Sequence, residues 1–273
     1  MDTFSPPLNE VVNFLAELMD EGVSLSALNI ARSALAAFLD VKKLGKIDII
    51  QRFFKGVFEQ KPTHTGISKV TTWDPKIVLD YLEMFSPNTD ITLKELTLKV
   101  TMLLALLSGQ RCQTILCLDL NNMLIEDSKC TFFITKLLKH SIKGRHQKPL
   151  QFEAFTLNSN ICIVNALKSY ISRTQTLRKT ETQLLISFNK PHKAVSGDTI
   201  KRWLKEVLKK AGVNANYSAH STRASSTSFL EKSVPIKTIL DAAGWTNENT
   251  FTNFYKKNIT KNFGHAMLSK YCS

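Results

Sequence analysis

The sequence predicts a mainly α-helical chain with one small β-hairpin, an α+β fold in two domains, and three observations carry that reading. Apolar residues recur at helical spacing through most of the 273 residues. The pattern turns β-rich only between residues 130 and 155. A segment broken by proline and glycine, Lys61-Pro62-Thr63-His64-Thr65-Gly66, separates a first helical block from the remainder. The expected domains are residues 1–65 and 72–273.

In the first block, residues 8–21 place Val11, Val12, Leu15 and Leu18 on one helical face, and Gly22 follows as a stop. Ser24 is placed to cap a second helix running to about Leu39, and a third runs from about Ile47 to Phe58. In the second block Pro75 suits the first turn of a helix over Lys76–Phe85. Thr92–Leu107 reads as a strongly apolar helix that Ser108-Gly109 ends. Phe132-Phe133-Ile134-Thr135 predicts a strand, and Leu150, Phe152 and Phe155 a second one after Pro149. Between them Lys139–Lys148 is basic and free of acids, which predicts a hairpin with a charged tip. Helical patterns resume at about Ile161–Thr174, Gly197–Ala211, Ser221–Glu231, Ile236–Ala242 and Asn247–Tyr255.

Charge narrows the class of partner. Thirty-six lysines and arginines oppose 23 acids, a net charge of +13, and a globular chain with that imbalance suits a polyanion, nucleic acid first. Residues 1–70 hold equal numbers of bases and acids, so the whole excess lies in residues 71–273. The five cysteines, Cys112, Cys117, Cys130, Cys162 and Cys272, form no CxxC pair and have no histidine at zinc spacing, which predicts reduced thiols and no metal site. MDTFSPPLNE lacks the bases and apolar run of a signal peptide, and Val100–Leu107 is too short to span a bilayer. The expectation is a soluble, intracellular protein without a membrane partner.

Three segments carry chemistry when taken together: Ser108-Gly109-Gln110-Arg111, His220-Ser221-Thr222-Arg223, and Ala243-Gly244-Trp245 with Tyr255 ten residues on. With the basic hairpin tip they supply two arginines, a histidine, a lysine, an indole N–H and a phenol. Phosphodiester cleavage without a metal needs this inventory. Guanidinium groups match the non-bridging oxygens of the transition state with paired N–H donors and keep their charge. A histidine can take the nucleophile's proton, a lysine can protonate the leaving oxygen, and a tyrosine can attack phosphorus to give a covalent intermediate. Each residue alone has an ordinary structural explanation, such as a salt bridge, a solvated helix face or a core aromatic. Their order and spacing together depart from chance.

On these residues the chain resembles the tyrosine recombinase (phage integrase) family, whose signature is an arginine, a hairpin lysine, HxxR, a His or Trp after glycine, and a tyrosine. The match runs through Arg111, a lysine of the 136–148 hairpin, His220, Arg223, Trp245 and Tyr255. ARSALAAF, RFFKGVF, WDPKIVLDYL and LTLKVTMLLALLSGQR resemble recombinases of DIRS- and Ngaro-type retroelements. The resemblance implies a helical, SAM-like core-binding domain in residues 1–65 and a catalytic domain in 72–273. It also implies strand breakage and rejoining through a 3′-phosphotyrosyl intermediate, with no cofactor. Lys139 falls where that family's catalytic lysine belongs, and Lys143 lies in a tip longer than usual. Two departures stand out: Thr114 occupies the place of an acid three residues after the first arginine, and the Trp245-to-Tyr255 interval is one residue longer than expected.

The partners so implied are double-stranded DNA, gripped from two sides, and further copies of the chain in a synaptic tetramer. Candidate phosphate contacts are Arg32, Lys42, Lys43, Arg52 and Lys55 in the first domain, and Lys143, Arg145, Lys201 and Arg202 in the second. The residues after Tyr255 suit docking either on a neighbouring copy or on their own domain. The location expected is the nucleus for a eukaryotic mobile element and the cytoplasm otherwise. A type IB topoisomerase shares the same catalytic inventory, and a DNA-binding protein derived from a mobile element could keep these residues without using them.

Overall fold

A computed structural model describes residues 5–39, 43–60, 71–136, 148–245 and 247–259. The chain divides into two compact units, residues 1–66 and 67–273. In the first unit, helices α1 (Leu8–Asp20), α2 (Leu25–Phe38) and α3 (Asp48–Gln60) enclose Val11, Leu15, Leu44 and Ile50. Ser24 caps α2 by accepting a hydrogen bond from the Ala27 N–H.

The second unit is built around α5 (Leu93–Ser108), in which every residue from Leu96 to Leu106 is buried. A helix buried on all sides must satisfy its polar side chains internally. Thr97 and Thr101 each donate back to a carbonyl one turn earlier, at 2.7 Å. Lys99 donates to the Phe85 carbonyl and to Asn88 Oδ1, at 2.5 and 2.8 Å, and burial holds its ammonium down to about 8. A capping box between Thr92 and Glu95 starts the helix. Around it pack α6 (Cys112–Leu116), α7 (Ile163–Thr174), α8 (Gly197–Lys210) and α9 (Ser221–Leu230), and α4 (Pro75–Glu83) packs on α9. The shorter α10 (Ile236–Ala243) and α11 (Glu248–Phe254) form a satellite cluster with Ile239, Trp245 and Phe251.

Two small sheets accompany the helices. Strands β2 (Met123–Ile125), β3 (Lys129–Phe132) and β4 (Leu150–Glu153) make an antiparallel sheet in the order β2-β3-β4. The predicted hairpin is therefore present, but its first strand ends at Phe132 and does not continue to Thr135. Phe132 pairs with Leu150, the first residue of β4 after Pro149, and beyond it the Phe133 N–H turns to the Asn122 carbonyl next to β2, at 2.8 Å. Strand β2 escaped the sequence reading because three residues show no period. The second sheet joins β1 (Thr71–Thr72) in parallel to β5 (Asn258–Ile259), linking the start of this unit to the segment just after Tyr255. Among the described residues no helix is long and apolar enough to cross a membrane.

Candidate active site

Two left-handed glycines aim the first pair of side chains. Helix α5 stops at Gly109, whose φ of 58° turns the chain so that Arg111 stands at the N-cap of α6. Helix α10 stops at Gly244, with φ of 67°, and delivers Trp245. A Cβ at Gly109 would also meet the Thr227 methyl at 3.3 Å. Arg111 is half-buried, and its guanidinium makes no hydrogen bond or ion pair among the described residues.

The second pair comes from α9. His220 is its N-cap and Arg223 lies one turn on, so the two side chains share a face. Arg223 is 1% exposed. Its two terminal nitrogens donate to the Gly109 carbonyl at 2.6 Å and the Ala243 carbonyl at 2.8 Å, one at each glycine turn. Its guanidinium carbon stacks 4.0 Å from the Trp245 ring centroid and 5.2 Å from that of Tyr255. Burial, then the nearby Arg111 charge, push the Arg223 guanidinium down to about 10, against an opposing pull from Tyr255. It remains a cation at neutral pH. Two polar atoms here, Arg223 Nε and Trp245 Nε1, are buried without a hydrogen-bond partner among the described residues. Unpaired buried N–H groups are costly, and at a cationic cluster they are donors suited to an anion.

Tyr255 completes the group. Its hydroxyl lies 3.0 Å from His220 Nε2, and its ring packs 4.6 Å from that of Trp245. The His220 ring is pushed below its ordinary range, first by withdrawal from bulk water, then by the charges of Arg223, Arg111 and Lys257. A neutral imidazole can accept the Tyr255 proton, so geometry and electrostatics favour the same state. The backbone at Tyr255 is held from α9, where the Ser228 hydroxyl donates to the Tyr255 carbonyl at 2.8 Å and accepts from the Lys257 N–H at 3.0 Å. Pairing of β5 with β1 fixes the next residues.

Of the predicted site residues, Arg111, His220, Arg223, Trp245 and Tyr255 thus gather in one place. Lys139, Lys143 and Arg145 lie outside the described residues, as does Lys42. Lys148, at the base of the basic loop, pairs with Asp241 at 2.8 Å and ties the start of β4 to α10. Lys201 and Arg202 are exposed on the second turn of α8, where Asp198 pairs with Lys201 at 2.9 Å and Thr199 accepts from Arg202. In the first unit Lys43, Arg52 and Lys55 are exposed, with Asp48 pairing to Arg52 at 2.6 Å. Arg32 instead packs over Phe54, 4.7 Å from the ring centroid, within the fold of its own unit.

The sequence reading missed three supporting residues. Gln110 donates to the Ala242 carbonyl and accepts from Thr114. Trp73 donates to Ser221 Oγ and accepts from Ser225 Oγ, both at 2.8 Å, bracing α9 on either side of Arg223. Ser228 is the third. The signal for two of these contacts was the composition of α9, STRASSTSFL. A buried helix so rich in hydroxyls must send them to carbonyls of its own or of its neighbours.

Comparison with known proteins matches this arrangement to a family. No curated protein matched the chain. The Tn1549 transposon integrase in complex with transposon right end DNA is 12% identical, with a TM-score of 0.63, over 100% of this chain and 87% of that one. The XerH site-specific recombinase bound to palindromic difH substrate, a post-cleavage complex, is 16% identical with a TM-score of 0.60, over 97% and 71%. A lambda integrase dimer bound to a COC′ core site is 16% identical with a TM-score of 0.53, over 96% and 84%. At these identities the likeness is one of fold. The model of the phage integrase family matches residues 81–261, a span that contains Arg111, His220, Arg223, Trp245 and Tyr255, and the chain belongs to that family.

Proposed function

We propose that this protein is a DNA strand-exchange enzyme that cleaves and rejoins duplex DNA through a 3′-phosphotyrosyl intermediate at Tyr255. The observation that carries the proposal is the 3.0 Å contact between His220 Nε2 and the Tyr255 hydroxyl, set against Arg223 and two buried N–H groups that lack partners among the described residues. Tyr255 Oη attacks the scissile phosphorus and gives its proton to His220. The bond from phosphorus to the 5′ oxygen breaks, and that oxygen takes a proton to leave as a 5′ hydroxyl. Arg111, Arg223 and the Trp245 N–H face the charge that gathers on the non-bridging oxygens. Rejoining is the reverse, with an incoming 5′ hydroxyl as nucleophile.

Double-stranded DNA is the partner. The excess of bases in residues 71–273 and the DNA bound to the recombinases of like fold support this. Lys201, Arg202, Lys43, Arg52 and Lys55 are proposed phosphate contacts, worth affinity that declines with salt. Two copies on each of two sites, a tetramer, would exchange strands. The resemblance to DIRS- and Ngaro-type elements suggests a mobile-element origin and work in a nucleus.

The pH dependence follows from His220. Only the neutral ring accepts the Tyr255 proton, so cleavage is lost as pH falls through a midpoint lying below the ordinary histidine value of 6.5. Single-turnover adduct formation between about pH 5 and pH 8 measures this. Arg111→Ala removes one charge that holds the ring down and shifts the midpoint upward. A midpoint at or above the ordinary value in the parent protein contradicts the assignment.

The general acid is proposed to be Lys139, with Lys143 and Lys148 on the same basic stretch. A substrate whose bridging 5′ oxygen is replaced by sulfur restores cleavage to Lys139→Ala, because a thiolate leaves without a proton. Arg111→Ala gains no rescue. Rescue confined to Lys143→Ala or Lys148→Ala moves the role to that residue. No rescue at any of them leaves protonation to water or His220.

A further inference from the structure

We propose that Gln110 is a positioning residue that docks the turn carrying Trp245 against the turn carrying Arg111, so that their donors converge on one phosphate. The proposal rests on the strand-exchange reading above.

The side-chain amide of Gln110 is used at both ends. Its Nε2 donates to the Ala242 carbonyl at 2.5 Å, and its Oε1 accepts from Thr114 Oγ1 at 3.1 Å. A carbonyl oxygen only accepts, so the end of the amide that faces Ala242 is the NH2 and the other end is free to take the threonine proton. The backbone is fixed as well, since the Gln110 N–H donates to Ser108 Oγ at 3.1 Å. The amide also lies directly over Gly244, where an added Cβ would stand 3.4 Å from Gln110 Nε2. One neutral side chain therefore spans from the N-terminus of α6 to the C-terminus of α10.

The target carbonyl is informative. The last carbonyls of a helix have no partner within it and must find donors elsewhere. At the end of α10 two consecutive ones are taken from outside, Ala242 by Gln110 and Ala243 by Arg223. Arg223 is one of the groups proposed to meet the phosphate, and its hold on the turn shares the guanidinium with that task. Gln110 holds the same turn without charge, and so does not compete for the phosphate or add to the repulsion between Arg111 and Arg223. Thr114 is 3% exposed and fixes the amide rotamer from inside α6.

The test is a cycle of substitutions in the full chain. Gln110→Met keeps length and volume and loses both hydrogen bonds. Single-turnover cleavage of saturating nicked DNA falls roughly ten- to a hundredfold, the cost of misplacing a group by about an ångström, while the Kd for DNA is unchanged. In a Trp245→Phe background, which already lacks the indole N–H, the same substitution adds little. Equal losses in both backgrounds, or no loss in the parent, overturn the proposal. Hydrogen exchange at the Gly244 and Trp245 amides provides a readout independent of catalysis. Gln110→Met speeds their exchange, and unchanged exchange overturns the docking role. Faster exchange in a protein that never cleaves DNA supports the docking and counts instead against the strand-exchange reading.

Discussion

Tyr255→Phe yields no covalent protein–DNA adduct, while DNA binding stays within about twofold of the parent protein. The substitution removes one oxygen. It leaves the ring that packs 4.6 Å from Trp245 and over the Arg223 guanidinium, so the cluster keeps its shape. The backbone bonds from Ser228 to the Tyr255 carbonyl and from β5 to β1 do not involve the side chain and also remain. Gel analysis of denatured complexes on nicked duplexes reads the adduct, and filter binding reads the affinity. Persistent adducts in the variant place the nucleophile elsewhere. Tyr217 is the described alternative, but its hydroxyl contacts Thr71 Oγ1 at 3.3 Å and its side chain is 7% exposed. Tyr271 lies outside the described residues.

Arg111→Ala lowers the cleavage rate on the order of 10²-fold or more while the melting temperature barely moves. Arg111 is half-buried and makes no hydrogen bond or ion pair among the described residues, so its removal breaks nothing in the fold. Its charge is missed only when the phosphate develops its own. Arg111→Lys recovers little, because a point charge cannot supply two parallel N–H donors. Arg223→Ala behaves differently. It strands the Gly109 and Ala243 carbonyls and leaves a cavity beside Trp245, so it lowers both the rate and the melting temperature. The contrast between the arginines is measurable by pairing single-turnover kinetics with calorimetry. Near-parental activity of Arg111→Lys contradicts the forked role, and an equal loss of stability in both alanine variants contradicts the division of labour.

Much of the fold was legible because its long helices keep strong periods and clear ends. The apolar run over Thr92–Leu107, the Pro75 start and the Ser24 cap each correspond to an observed helix within one or two residues. What escaped was short. Helix α6 has five residues, and β1 and β5 have two each, too few for any period to show. The overextended strand at Phe133–Thr135 was a propensity reading; pairing with β4 ends at Phe132, opposite Leu150.

The candidate site was legible as a list of residue types and less so as a mechanism of support. Arg111, His220, Arg223, Trp245 and Tyr255 were marked by order and spacing, and they converge. The longer Trp245-to-Tyr255 interval is accommodated, since the two rings pack against each other. The second departure, Thr114 in place of an acid, becomes intelligible only in three dimensions, where its hydroxyl steadies Gln110. No local pattern announces that contact, because its other end is a carbonyl far along the chain. Arg32 has a role inside the fold that the sequence did not announce. A base on a small helical module suggested phosphate, and its guanidinium also packs over Phe54.

Peptide mapping of the trapped complex locates the residue that carries the DNA. The protein is incubated with nicked suicide duplexes drawn from a panel of candidate terminal sequences, digested, and the nucleotide-bearing peptide is sequenced by mass spectrometry. The expected result is a single modified peptide, with Tyr255 joined to a 3′ phosphate and a free 5′ hydroxyl on the released strand. Attachment at another residue, linkage through a 5′ phosphate, or intact strands throughout duplexes that the protein binds tightly would rule out a 3′-phosphotyrosine at Tyr255.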